Sequence, residues 1–157
     1  MSLSPGLRSE LEDLYADYAE VVDSGNLERW PEFFAEPCLY RIVSKENHDK
    51  GLPLSLMLCE SPGMLKDRAL ASQKLNVYGP RAWRHMLSHL RGQEDGDFIA
   101  AQANFAVFET LHDRHTAILV TGRYVDKLVR TDTGLRFREK LCVYDSSLIP
   151  GSIVMPL

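Results

Sequence analysis

The stretch Arg114–Ser146 constrains this chain most. It holds a long run, His115–Arg130, then a Thr131-Asp132-Thr133-Gly134 turn, then a second run, Leu135–Tyr144. In the second run Leu135, Phe137, Leu141 and Val143 point one way and Arg136, Arg138, Lys140 and Tyr144 the other, the period of a strand with one face on a core. The first run is β-branched and aromatic with little polar relief before Arg123, so much of both its faces is expected to be covered. Joined by a glycine-containing turn, the two form a long antiparallel hairpin. A two-stranded hairpin is not stable alone in water, so the remaining chain must supply further strands and the helices that cover them.

The length of 157 residues suits a single domain, 1–157, with a proper core. A net charge of -4 argues against a nucleic-acid partner, which needs a basic surface. No apolar run approaches the ~20 residues of a membrane helix. Met1-Ser2-Leu3-Ser4-Pro5 has neither the basic nor the apolar part of a signal peptide. Cys38, Cys59 and Cys142 are odd in number and far apart, which fits reduced thiols and a cytoplasmic location.

Ser4-Pro5 is a helix start, a capping serine before a proline in the first turn. Leu7, Leu11, Leu14, Tyr18, Val21 and Val22 recur behind it at helical spacing, and Ser24-Gly25 ends the run. Asn26 should cap a short second helix with a Leu27, Trp30, Phe33 and Phe34 stripe, kinked at Pro31 and stopped by Glu36-Pro37. A first strand is expected over Cys38–Ser44, a loop over Lys45–Pro53 and a short strand within Leu54–Glu60. Ser61-Pro62 opens a third helix carrying Met64, Leu65, Ala69, Leu70 and Leu75, broken at Tyr78-Gly79-Pro80. Arg84–Arg91 and Phe98–Leu111 are strands leading into the hairpin, and the apolar tail Leu148–Leu157 must dock on something. Helices grouped ahead of strands indicate an α+β fold, a strongly bent antiparallel sheet wrapped round three N-terminal helices. Its convex face should carry Arg136, Arg138 and Lys140. Beside the apolar Ile118–Val129 strand, that row suits a subunit interface.

Catalytic signals are sparse. Tyr40, Asp67 and His85 are the one trio suited to acid–base work in a cavity between helices and sheet; a structural Asp67–Arg68 ion pair is the plainer alternative. His85 with His89, and Glu109 with His112 and His115, superficially resemble metal ligands, but the second set straddles a tight turn. Cys-x-His with Cys-x-x-His, Cys-x-x-Cys, Gly-x-Gly-x-x-Gly, a phosphate loop and Gly-x-Ser-x-Gly are all missing. No cofactor or metal site is therefore expected in this chain.

Asp23-Ser24, Trp30-Pro31-x-Phe33-Phe34, Cys38-x-Tyr40-Arg41, Asn47-His48, Gly51-Leu52, Met64-Leu65-x-Asp67-Arg68, Tyr78, Arg84-His85, Gly122-x-Tyr124-x-Asp126-Lys127 and Asp145-Ser146 form an ordered series. In that order, and from Leu14 to Pro156-Leu157, the chain resembles the small (beta) subunits of aromatic-ring-hydroxylating dioxygenases. It most resembles the branch serving aromatic carboxylates, such as terephthalate dioxygenase and salicylate ring hydroxylases. Glu36-Pro37 departs from it, since many relatives have a non-proline there. The resemblance implies a nuclear-transport-factor-2-like cone and a large (alpha) subunit as partner. That subunit would carry the Rieske iron–sulfur cluster and the mononuclear iron. The small subunits would form a trimeric, non-catalytic base in a hetero-hexamer that degrades aromatic compounds. No catalytic, cofactor-binding or metal-binding residue of the family maps onto this chain. The outer sheet face and the tail are then the expected trimer contacts. The competing expectation is a free-standing dehydratase, isomerase or hydrolase using Tyr40, Asp67 and His85; a binding module with an empty cavity is another.

Overall fold

Ser4 caps helix α1 (Pro5–Ser24) by accepting the Leu7 N–H at 3.2 Å. The helix buries Leu7, Leu11, Leu14, Tyr15, Tyr18, Val21 and Val22, and closes at Gly25, whose φ of 74° suits a residue without a Cβ. This computed structural model describes residues 3–75, 81–149, 153 and 155–157. The Tyr78-Gly79-Pro80 breaker, Val154 and the side chain of Leu75 lie outside the described residues.

The second helix differs from expectation. Leu27–Phe33 is a 3-10 helix, Asn26 gives no side-chain cap, and Phe34 already belongs to strand β1 (Phe34–Ser44). Leu27, Trp30 and Phe33 are three apart, so three residues per turn puts all of them on one buried side. Pro31 sits in this turn without a kinked α-helix around it. Glu36-Pro37 does not stop a helix but lies inside β1, in a four-residue irregularity between Phe34 and Leu39.

The loop expected after β1 begins with a one-turn helix, α2 (Lys45–Asp49), capped by Ser44 and stapled by the pairs Lys45–Asp49 and Glu46–Lys50. Strand β2 (Met57–Cys59) follows, then α3 (Pro62–Leu75), whose Met64 N–H is accepted by Ser61. Four strands complete the chain: β3 (Arg81–Asp95), β4 (Phe98–Leu111), β5 (Ala117–Thr131) and β6 (Gly134–Tyr144).

The six strands form one curled sheet in the order β2-β1-β6-β5-β4-β3. Neighbours are antiparallel except β1 and β6, which are parallel, so the sheet is mixed where an antiparallel one was expected. A parallel pair needs a long crossover, here everything from α2 to β5. One hydrophobic cluster draws on every strand, on α1, α3 and the 3-10 helix, and on Met155 and Leu157 of the tail.

A bulge corrects the face assignment of β6. Lys127 pairs with Glu139 and Leu128 with Phe137, which leaves Arg138 as an extra residue. One inserted residue inverts the alternation beyond it. Phe137 therefore shares the inner face with Lys140, Cys142 and Tyr144, and half-buried Leu141 turns outward. Lys140, expected on the convex basic row, is fully buried. Arg136 and Arg138 remain half-buried towards the outside.

Candidate functional site

Two regions could do chemistry or bind: the interior of the cone and the outer face of its sheet. On β5 the inward positions include Gly122, Tyr124, Asp126 and Leu128, so an apolar strand carries one carboxylate into the core. Lys140, directly across from Asp126 on β6, meets it at 3.0 Å with both side chains fully buried. Tyr15 of α1 donates its hydroxyl to the same carboxylate oxygen, Oδ2. The ammonium lies over the rings of Tyr124 at 3.5 Å, Phe137 at 4.3 Å, Tyr18 at 4.5 Å and Tyr15 at 4.9 Å. Four electron-rich faces and one carboxylate thus replace its water shell. Burial pushes the Asp126 carboxyl above its ordinary range, with Lys140 and Tyr15 pulling the other way. It also holds the phenols of Tyr15, Tyr18 and Tyr124 well above theirs, so the cage around Lys140 is made of neutral rings.

Beside this cage the tail enters the core. Leu157 is fully buried; its carbonyl oxygen accepts from Tyr18 at 2.7 Å, and its N–H donates to the Tyr40 hydroxyl at 2.8 Å. Trp30 Nε1 donates to Tyr18 at 3.2 Å, and the Cys142 thiol, pushed up to about 12 by burial, points at Leu157 at 3.5 Å. The tail thus docks, as its apolar residues require, but its last residues dock in this chain's own core.

The trio Tyr40, Asp67 and His85 is not brought together. Tyr40 is engaged by Leu157, and Asp67 is exposed on α3. His85 Nδ1 lies 2.5 Å from Asp23 at the end of α1, and the backbone N–H of His85 donates to the same carboxylate at 2.9 Å. The remaining histidine sets separate as well. His89 is exposed beside Ser88, while Glu109 pairs with Arg81 at 3.3 Å and accepts from Trp83 at 2.7 Å. Among the described residues no three His, Cys, Asp or Glu side chains are close enough to hold a metal. Sequence reasoning did not anticipate the contacts of buried Asp126 or of partly exposed Asp23. Asp126 had a visible signal, alternating with Gly122 and Tyr124 on one side of an apolar strand; Asp23 had its place at a helix end and in the ordered series of residues, neither of which points to His85.

The outer face is unlike the interior. Two rungs cross four strands, Arg91–Gln102–Val125–Leu141 and Gln93–Ala100–Lys127–Glu139, and line a groove of about 740 Å³ that Leu3 and Arg8, at the start of α1, also border. A second groove of about 720 Å³ lies further along β3 and β4, over Arg84, Met86, Ala106 and Phe108. Met86 in that groove and Ile118, the β5 partner of Phe108, are each 58% exposed. The surface mixes basic and apolar side chains, a composition suited to covering by another chain.

Comparison with known proteins places this geometry. The model of the SnoaL-like domain matches residues 7–140. The chain is 38% identical to the anthranilate 1,2-dioxygenase small subunit of Burkholderia cepacia, over 89% of this chain and 88% of that one. It is 35% identical to a terephthalate 1,2-dioxygenase terminal oxygenase component subunit beta of Comamonas sp, over 90% and 93%. A crystal structure from Novosphingobium aromaticivorans, assigned as the beta subunit of an aromatic-ring-hydroxylating dioxygenase, superposes with a TM-score of 0.84 at 34% identity, covering 95% of each chain. Naphthalene 1,2-dioxygenase with bound indole shares the fold, with a TM-score of 0.80 at 13% identity over 99% of this chain and 88% of that one.

Proposed function

We propose, from the premise that this chain belongs to the SnoaL-like domain family and to the small subunits of aromatic-ring-hydroxylating dioxygenases, that it is the non-catalytic base of such an oxygenase. Three copies associate through the outer sheet face and carry large subunits that hold the Rieske cluster and the mononuclear iron. The complex oxidises aromatic compounds in the cytoplasm during their breakdown. The observation that carries this reading is the contrast between the two regions. The cone interior is filled by this chain's own aromatic rings, its Lys140–Asp126 pair and Leu157, while the outer face presents exposed Met86 and Ile118 among arginines. Arg136 and Arg138 remain interface candidates and Lys140 does not.

Such a base acts by mass action. Contacts made only in the assembly stabilise it and fix how neighbouring large subunits sit. The free-standing enzyme loses support, because Tyr40, Asp67 and His85 are each engaged or exposed elsewhere.

Co-expression of the tagged chain with a large subunit bearing Cys-x-His and Cys-x-x-His tests the reading. The expected result is a red-brown, co-eluting complex, with a colourless tagged chain when expressed alone. A large subunit that is fully active while failing to retain this chain overturns it.

A further inference from the structure

A closed ring of three joins unlike patches: each copy offers one surface to the copy ahead and a different one to the copy behind. If the outer sheet face is one of those surfaces, as proposed above, its complement must also lie on this chain. We propose that the outer face of one copy receives the solvent side of helix α1 of the next, so that the acidic stripe Asp13, Asp17 and Glu20 lies against Arg84 and Arg91.

Charge and size both select this pairing. The chain carries a net charge of -4, yet the outward positions of β3 and β5 hold Arg84, Arg91, Arg123 and Lys127. Lys127 is paired with Glu139 and Arg123 lies near Asp49. Among the described residues Arg84 and Arg91 form no ion pair, and both are exposed. Asp13, Asp17 and Glu20 are exposed, stand four and three residues apart on one helical stripe, and form no ion pair among the described residues either. The neighbouring Glu10 and Glu12 are already engaged, by Arg130 and Arg8. Like charges at such spacing destabilise an isolated helix, and basic groups from another copy would relieve them.

The face has room for the helix. Along β3 from Ala82 to Gln93 it runs roughly 35 Å, two to three strands wide as far as Met86 and four strands, about 19 Å, wide from Leu87 to Gln93. A 20-residue helix, as α1 is, is about 30 Å long and 10–12 Å wide. Exposed Met86 and Ile118 would supply the apolar contact that the arginines alone cannot.

The inference rests on the trimer reading, so the test separates them. Sedimentation velocity of the full chain, alone and with the large subunit, is run on wild type, on Arg84→Glu with Arg91→Glu, on Asp13→Arg with Asp17→Arg, and on all four together. All four substituted side chains are on the surface, and thermal unfolding verifies folding. Each two-residue variant is expected to associate roughly a hundredfold more weakly, from like charges brought together. The four-residue variant, with both signs exchanged, is expected to recover trimers. Wild-type trimers with either two-residue variant unaffected, or a four-residue variant no tighter than its parents, overturn the pairing and leave the trimer standing. Loss of the large subunit with retained trimers in the Arg84, Arg91 variant overturns it too, and gives the face to the large subunit. A wild type that is monomeric even with the large subunit overturns both readings.

Discussion

Lys140 is a cation with no access to water, held by one carboxylate and the faces of four rings. Removing one member of a buried pair strands the other, so Lys140→Ala should lower stability by about 3–5 kcal/mol, whereas Lys140→Met with Asp126→Leu should be near neutral. Urea denaturation distinguishes the two. The pH dependence has a definite sign. An acid whose folded pKa is raised, as burial raises that of Asp126, binds its proton more tightly folded than unfolded. Its contribution is therefore present below the unfolded value and lost as pH rises through the folded one. Without Lys140 the upward push is unopposed, so the deficit of Lys140→Met against wild type should grow as pH rises above the ordinary carboxylate range. A deficit that shrinks as pH rises contradicts the assignment. Leu157 is the other residue on which the interior depends. Leu157→Ala should cost about 2–5 kcal/mol through the cavity it leaves, read as a lower denaturation midpoint with unchanged slope.

At the scale of elements, β5 turns on Gly122. A Cβ there would stand 2.1 Å from the Val143 carbonyl oxygen and 2.8 Å from the Phe105 ring, which itself stacks on Tyr124 at 4.6 Å. Gly122→Ala should therefore destabilise by about 3 kcal/mol, the upper end of overpacking costs, because the nearest obstacle is backbone. An unchanged melting temperature would contradict the tight approach of β5 and β6. The same pair of strands shows where sequence reading succeeds and fails. Helix α1 was legible from its Ser4-Pro5 start to Gly25, because cap, stripe and stop are all local. The hairpin was legible too, within a residue or two. The face of Lys140 was not, because the bulge at Arg138 is set by pairing with Lys127 and Leu128 on another strand and leaves no mark in β6 itself. Nor was the 3-10 helix, whose three-residue spacing of Leu27, Trp30 and Phe33 also fits an α-helix read over so few residues. As for the candidate site, the basic and apolar outer face could be anticipated from β-strand alternation. The Asp23–His85 contact could not, since it joins groups 62 positions apart.

At the scale of the molecule, the cone fills its interior with its own side chains, and its outer sheet is the surface proposed for other chains. Its relatives are small subunits of dioxygenases, and the chemistry is expected to sit in the large subunit they accompany. Native mass spectrometry of the complex formed with that large subunit tests this most directly, because it counts copies of each chain. The account predicts three copies of this chain for three large subunits, with all the iron released in the large subunits when the complex is dissociated. A monomer of this chain that binds no large subunit, or iron that stays with it on dissociation, contradicts the account.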